Sequence, residues 1–279
     1  MEKKYELVKE DSIKEWGYNL YRIRSLKDFN DVKKGELGGY IEKEQNLSHD
    51  GDCWVYNNAK VFGNARVYNN AKVCDNAKVF GYARVYGNAE VCDDAKVFGN
   101  ARVFGYAWVY GNAEVCDDVW VSDNAKVYGY VKVYGNAWVS DNARVFGNAE
   151  VCDDAKVFGY AEVCDDARVY GYARVCDNAR VYGNAELYGD VVISGNTKIF
   201  NNADISNTTD YITIGPIGSR NDHTTFYLDK DKNIHVSCGC FNGSIDEFKD
   251  KVNETHKDND KFRTQYLTAI ELAKISLLK

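Results

Sequence analysis

From Val55 to Ile205 an aliphatic residue recurs at every sixth position, 26 times, with no insertion or deletion. Taking Val61 as the reference, the position two before it is Ala59, with Cys, Val or Thr at Cys53, Val119, Val131, Val191 and Thr197. The residue between, Lys60 here, is nearly always charged. Ala-Lys-Val therefore reads as in–out–in, a short strand of period two, and the next three residues form a corner. Strand and corner alternating at a period of six define a mostly-β hexapeptide β-helix with three hexads per 18-residue rung. A left-handed coil is the usual form in families of this kind; the spacing alone does not fix the hand. Thr197 is the one polar residue at an inward position. Each rung buries little, so stability accumulates between neighbours and both ends need caps.

The corners obey a second rule. The residue after the aliphatic one is aromatic in 16 units, Cys in six and Ser in four. Each aromatic precedes Gly or Asn, and each of Cys74, Cys92, Cys116, Cys152, Cys164 and Cys176 precedes Asp. Gly and Asn tolerate positive φ, and Asp is expected to hydrogen-bond its own turn. Two interchangeable corners account for the cysteines without a metal array, although the period stacks Cys74 directly on Cys92.

The repeat divides the chain into an N-terminal cap (1–52), the coil (53–215) and a small α+β domain (216–279). The cap should consist of short strands and turns around Tyr5 to Val8, Leu20 to Ile23 and Gly38-Gly39. In the last region, Thr224 to Leu228 and Ile234 to Ser237 read as a hairpin about Asp229 to Asn233. Ser244 and Glu247 form a capping box for a helix with Ile245, Phe248 and Val252 on one face. A second helix, about 260 to 278, aligns Phe262, Tyr266, Ile270, Ala273 and Leu277.

A net charge of −7 gives no bulk attraction to nucleic acid or an anionic membrane. No apolar stretch has the length of a membrane span or a leader's apolar core. Nine cysteines, an odd count, would invite mispairing in an oxidising compartment, so reduced thiols and a cytoplasmic location are expected.

The outward positions form three stripes. One runs Lys60, Lys78, Lys96, Glu114, Lys132, Glu150. Another runs Arg66, Arg84, Arg102, Trp120, Trp138. The third is mixed and holds Trp54 and Trp108. Trp120 should lie above Trp138, with Trp108 around a corner. Basic ladders beside exposed aromatics suit a protein partner or a small anionic ligand; solvated edge protection is the plainer reading. In the tail, Arg220, Asn221 and His223 beside Gly218 form a candidate anion-binding turn. Cys238, Cys240 and His256, with His235, form a weaker metal-binding alternative; Cys-Gly-Cys is tighter than a C-x-x-C site.

Residues 20–41 (LYRIRSLKDFNDVKKGELGGYI), with NLS at 46–48 and GDCWV at 51–55, resemble the opening of YdcK-type hexapeptide-repeat proteins of bacteria and their phages. The resemblance implies a coil-starting cap and brings no catalytic residues. The tail segments IGSRN (217–221), CGCFNG (238–243) and ETH (254–256) are similar to a domain of uncharacterised phage and prophage proteins. Hexapeptide coils are best known as acyltransferases that use a histidine base, and some relatives hold zinc through histidines. Here the repeat has no histidine; the four are His49, His223, His235 and His256. The preferred expectation is a non-catalytic binding solenoid with no cofactor, a phage or prophage accessory protein that can self-associate. The alternatives are an acyltransferase-like enzyme and a fibre segment.

Overall fold

The computed structural model describes residues 2–278. They form a mostly-β chain whose body is a parallel β-solenoid, followed by a small antiparallel sheet and two helices. The chain divides into two compact units, the first ending at Asp153 and the second beginning at Asp154.

In the first unit the cap opens with β1 (Tyr5–Glu15) and β2 (Tyr18–Ser25), antiparallel to each other. These strands are longer than the local alternation predicts, because the turn at Trp16-Gly17 lets Lys14↔Asn19 and Glu15↔Tyr18 continue the ladder. β3 (Leu37–Ile41) pairs antiparallel with β2 and then parallel with Lys60–Val61, converting a hairpin into a coil. Gly38 and Gly39 make that handover possible: a Cβ on either would lie 2.5 Å from a carbonyl oxygen, of Val55 and Ala59 respectively. Buried polar groups satisfy the first rung. The Lys4 ammonium donates to the carbonyls of Gly51 and Cys53 (3.0 and 2.8 Å). The Asn46 amide donates to those of Gly63 and Ala65 (3.2 and 2.9 Å).

The hexads behave as their pattern dictates. Each contributes a short strand, such as Lys60–Val61, whose flanking Ala and Val are buried. Three parallel ladders result in this unit, running 60–78–96–114–132–150, 54–72–90–108–126–144 and 66–84–102–120–138. The amide of the outward strand residue donates one rung onward, as Lys60 N does to Ala77 O at 2.9 Å.

The corners refine the sequence reading in two ways. The aromatics stack on one another in columns, as in Phe62–Phe80–Phe98 (5.2 and 4.8 Å) and Tyr110–Tyr128–Phe146 (4.8 and 5.1 Å), with their ring planes nearly parallel. The aspartates adopt the left-handed conformation, with φ of 59° at Asp93 and 60° at Asp117. Their carboxylates do not close their own turns. They accept from the backbone one rung on: Gly111 N donates to Asp93 at 2.9 Å, and Gly135 N to Asp117 at 3.1 Å. The expectation of uniformly reduced cysteines also fails at one pair. Cys74 and Cys92 are joined as a disulfide, their Cα atoms 4.6 Å apart, because the rung repeat places their corners face to face. The other seven cysteines form no disulfide.

The second unit continues the hexads, with ladders 168–186–204, 162–180–198 and 156–174–192. Its four-stranded antiparallel sheet comprises strands Tyr211–Ile217, Asp222–Leu228, Ile234–Cys238 and Phe241–Ser244. The middle pair is the expected hairpin; the outer pair carries no strong alternation. Helix α1 (Ile245–Thr255) begins at the Ser244–Glu247 capping box, and α2 (Asp260–Leu277) follows. Phe226, Val236, Phe248, Val252, Tyr266 and Ile270 form their shared core. This sheet explains the polar inward residue. The Thr197 hydroxyl lies 2.9 Å from that of Thr213, which lies 3.1 Å from that of Thr225. The Lys198 amide donates to Thr225 Oγ1 at 3.2 Å, so an amide facing the coil's end finds a side-chain acceptor. Among the described residues no helix is long and apolar enough to cross a membrane.

Candidate functional site

The two basic ladders of the first unit look alike in sequence and differ in the structure. On the lysine face, Glu15 at the end of β1 reaches both Lys60 and Lys78 at 2.6 Å, and Glu114 pairs with Lys96 at 2.7 Å. Burial alone would raise the Glu15 carboxyl; its hydrogen bonds to the two ammonium groups override that and hold it below the usual carboxylate range. On that face Lys60, Lys78 and Lys96 thus each have a carboxylate partner.

The arginine face has no such partners. Arg66 pairs in register with Arg84, and Arg84 with Arg102. Arg66 and Arg84 are exposed, and among the described residues neither has an ion-pair partner. Like charges opposite one another on a sheet cost about 0.2–1 kcal/mol per pair. The Arg102 guanidinium lies 5.0 Å from the centroid of Trp120, a cation–π distance. Beside the ladder the corner column Tyr68–Tyr86–Phe104 stacks at 4.8 and 5.0 Å.

At the cap end, Arg66, Arg84 and Tyr68 form one wall of a groove of about 490 Å³, and Glu44, Leu47, Ser48 and His49 form the other. Glu44 is held below the ordinary carboxylate range, first by its hydrogen bond from Lys3 (2.5 Å). His49 is lowered by burial, against the opposing pull of Glu44, and is neutral at pH 7. Its Nδ1 accepts from the Lys4 amide at 3.2 Å, and its ring stacks on Tyr5 at 4.4 Å. Accepting at Nδ1 places the proton on Nε2, which is buried without a hydrogen-bond partner. This imidazole therefore has no free lone pair for general-base work. The net charge of the groove is positive and comes from the two guanidinium groups. The sequence reading placed Arg66 and Arg84 in their ladder but missed the groove, because its opposite wall is in the non-periodic cap.

The tryptophans separate into two places. Trp120 and Trp138 pair in register, with ring centroids 5.7 Å apart at 64°. They occupy the turns where the corner column changes from aromatic to Ser122 and Ser140. Trp120 meets Phe104 edge-on at 6.1 Å, and Trp138 Nε1 points at Ser122 Oγ, 3.5 Å away. The smaller corners leave room that the indoles fill, and both indoles remain about 40% exposed (38% and 40%). Trp108 is on a different face, under Lys126 (4.9 Å) and beside a hollow of about 270 Å³ lined by Glu90, Cys92, Asp93 and Tyr110.

The tail candidates do not converge. Arg220 Nη1 lies 3.6 Å from Cys240 Sγ, and Asn221 is a turn residue with φ of 49°. His223 Nδ1 accepts from the Asn196 amide at 3.3 Å. Cys238 accepts from Thr224 at 3.2 Å, His235 pairs with Asp229 at 3.0 Å, and His256 stacks on Tyr266 at 5.5 Å. Among the described residues, the one trio of ligating side chains close enough to share an ion is Cys74, Asp75 and Cys92.

Fold and surface thus define a hexapeptide-type β-solenoid with one uncompensated cationic face. Residues 95–111 and 173–187 match the family model described as the YdcK beta-solenoid repeat. The chain is 47% identical over 45 residues to a protein of Escherichia coli K12 named "Uncharacterized acetyltransferase YdcK". That stretch is 16% of this chain and spans 14% of the relative's length. A crystal structure from Bacillus cereus, described as a candidate acetyltransferase, aligns over 74% of this chain and 92% of its own at 15% identity, with a TM-score of 0.23.

Proposed function

We propose that this chain is a ligand-binding solenoid whose working surface is the arginine face, and that it takes a small, multiply charged anion in the groove between Arg66, Arg84 and the cap. The observation that carries this reading is the contrast between the ladders: Glu15 and Glu114 pair with Lys60, Lys78 and Lys96, while Arg66 and Arg84 have no ion-pair partner among the described residues. Guanidinium groups repeating at about 4.8 Å match an anion with two or more phosphate or carboxylate groups, each able to accept a bidentate pair. The flanking tyrosine column and the Trp120–Trp138 pair offer apolar area to the rest of such a ligand. Seven cysteines outside any disulfide favour a cytoplasmic setting for the same reading.

The test uses inorganic tripolyphosphate as the probe, by calorimetry at low salt. Arg66→Ala/Arg84→Ala should weaken binding at least tenfold, and Lys60→Ala/Lys78→Ala should not. Equal loss in both double variants would show that only general charge matters and would sink the reading.

A second reading, acyl transfer, is favoured by the name of the Escherichia coli relative. It requires a base that His49 does not supply in this geometry. Thermal stabilisation by acetyl-CoA together with release of free thiol, both lost in Arg84→Ala, would favour it over simple binding.

A further inference from the structure

The repeat places cysteine on cysteine at one position. Cys74 and Cys92 are 18 residues apart, whereas every other corner cysteine of the repeat has an aromatic or serine residue one rung on. The pair is half-buried, and the Asp75 carboxylate closes a trio whose ligating atoms all lie within 4.8 Å of one another. We propose that the reduced Cys74–Asp75–Cys92 corner binds one thiophilic divalent cation of the zinc class, and that the disulfide seen here is the alternative, cation-free state of the same site. The proposal is independent of any ligand on the arginine face.

Geometry and chemistry agree. Zinc–sulfur bonds of about 2.3 Å put two tetrahedrally bound sulfurs roughly 3.8 Å apart. Corners with Cα atoms 4.6 Å apart reach that separation through side-chain rotation. Asp75 supplies the third ligand and water the fourth. The Asp75 carboxylate is already oriented, accepting from Asn57 Nδ2 at 3.0 Å and the Asp93 amide at 3.4 Å, the type of outer contact that fixes a ligating carboxylate. Oxidation by a small-molecule disulfide exchanges the two states. One thiolate attacks the oxidant and expels a thiolate, and the second thiolate then attacks the mixed disulfide and expels the other. The two cysteine sulfurs lose two electrons, the oxidant leaves as two thiols, and the cation loses both sulfur ligands.

Substitution need not disturb the coil, because Ser122-Asp123 and Ser140-Asp141 are native corners with the same left-handed aspartate (φ of 58° and 59°). Cobalt(II) is the probe, titrated into the full chain after reduction and removal of the reductant. One equivalent should bind with a sulfur-to-cobalt charge-transfer band. That band should be absent in Cys74→Ser and Cys92→Ser and in the reoxidised protein, and Asp75→Asn should need at least tenfold more cobalt. Reduced wild type giving no more charge-transfer signal than the serine variants would overturn the proposal. So would an undiminished band after full oxidation of the pair.

Discussion

At the residue scale the most informative group is the corner aspartate. A non-glycine residue in the left-handed region is disfavoured by roughly 1–2 kcal/mol, yet Asp93, Asp117, Asp165 and Asp177 all occupy it. Each returns a charge-assisted hydrogen bond to a glycine amide one rung on, at 2.9–3.1 Å. The two effects can be separated at Asp117. Asp117→Gly loses the carboxylate but is relieved of the left-handed penalty, so the two effects offset and the change should be close to zero. Asp117→Ala loses the carboxylate and keeps the steric penalty that the aspartate already carries, and should cost about 1 kcal/mol. Urea unfolding of both variants measures the difference; equal losses would mean that backbone strain contributes nothing. The Cys-Asp pairing was plain in the sequence, but the direction of the bond was not. A turn read alone offers only its own amides, and the better-placed donor belongs to a residue 18 positions later.

At the element scale, β1 and its hairpin do more than start the coil. Trp16 meets Phe80 edge-on at 4.9 Å, the Lys78 ammonium lies 5.0 Å from the Trp16 ring, and Glu15 bridges Lys60 and Lys78. The folded-state pKa of Glu15 is depressed, so its contribution to stability is fully present above its unfolded value of about 4.3. That contribution is lost as the pH falls through the lowered folded value. Glu15→Gln should therefore be less stable than wild type at pH 7, and the gap should close below about pH 4. Denaturant melts across that range check the sign; a gap that persists in acid would assign the effect to packing. The hairpin was only partly legible. Short alternating stretches around Tyr5 and Leu20 marked strands, but nothing local announced that Glu15 would meet lysines 45 and 63 residues away. The C-terminal helices were legible because their caps and apolar stripes are local features. The outer strands Tyr211–Ile217 and Phe241–Ser244 were not, since they are defined by the hairpin they flank.

For the whole molecule the repeat makes phase the controlling quantity. Removing residues 155–172 deletes one complete rung and joins Asp154 to Ala173 with every stripe preserved. That variant should remain folded, with a far-ultraviolet spectrum like that of the parent and tripolyphosphate binding unchanged. Removing residues 155–160 keeps the six-residue beat but shifts the following corners and outward charges to a different face, and should lower the unfolding midpoint much more. Equal behaviour of the two deletions would show that the hexad, not the rung, is the unit of stability. The solenoid was readable because its information repeats at every sixth residue. The groove was not, because one of its walls is periodic and the other is not. The threonine chain at 197, 213 and 225 has a wider consequence. A parallel coil carries no internal signal to stop: its last rung presents amides to whatever strand comes next, including the first rung of another molecule. By giving the Lys198 amide a hydroxyl instead of an open edge, Thr225 closes one of the hydrogen-bonding positions that a parallel coil would otherwise offer to a further strand.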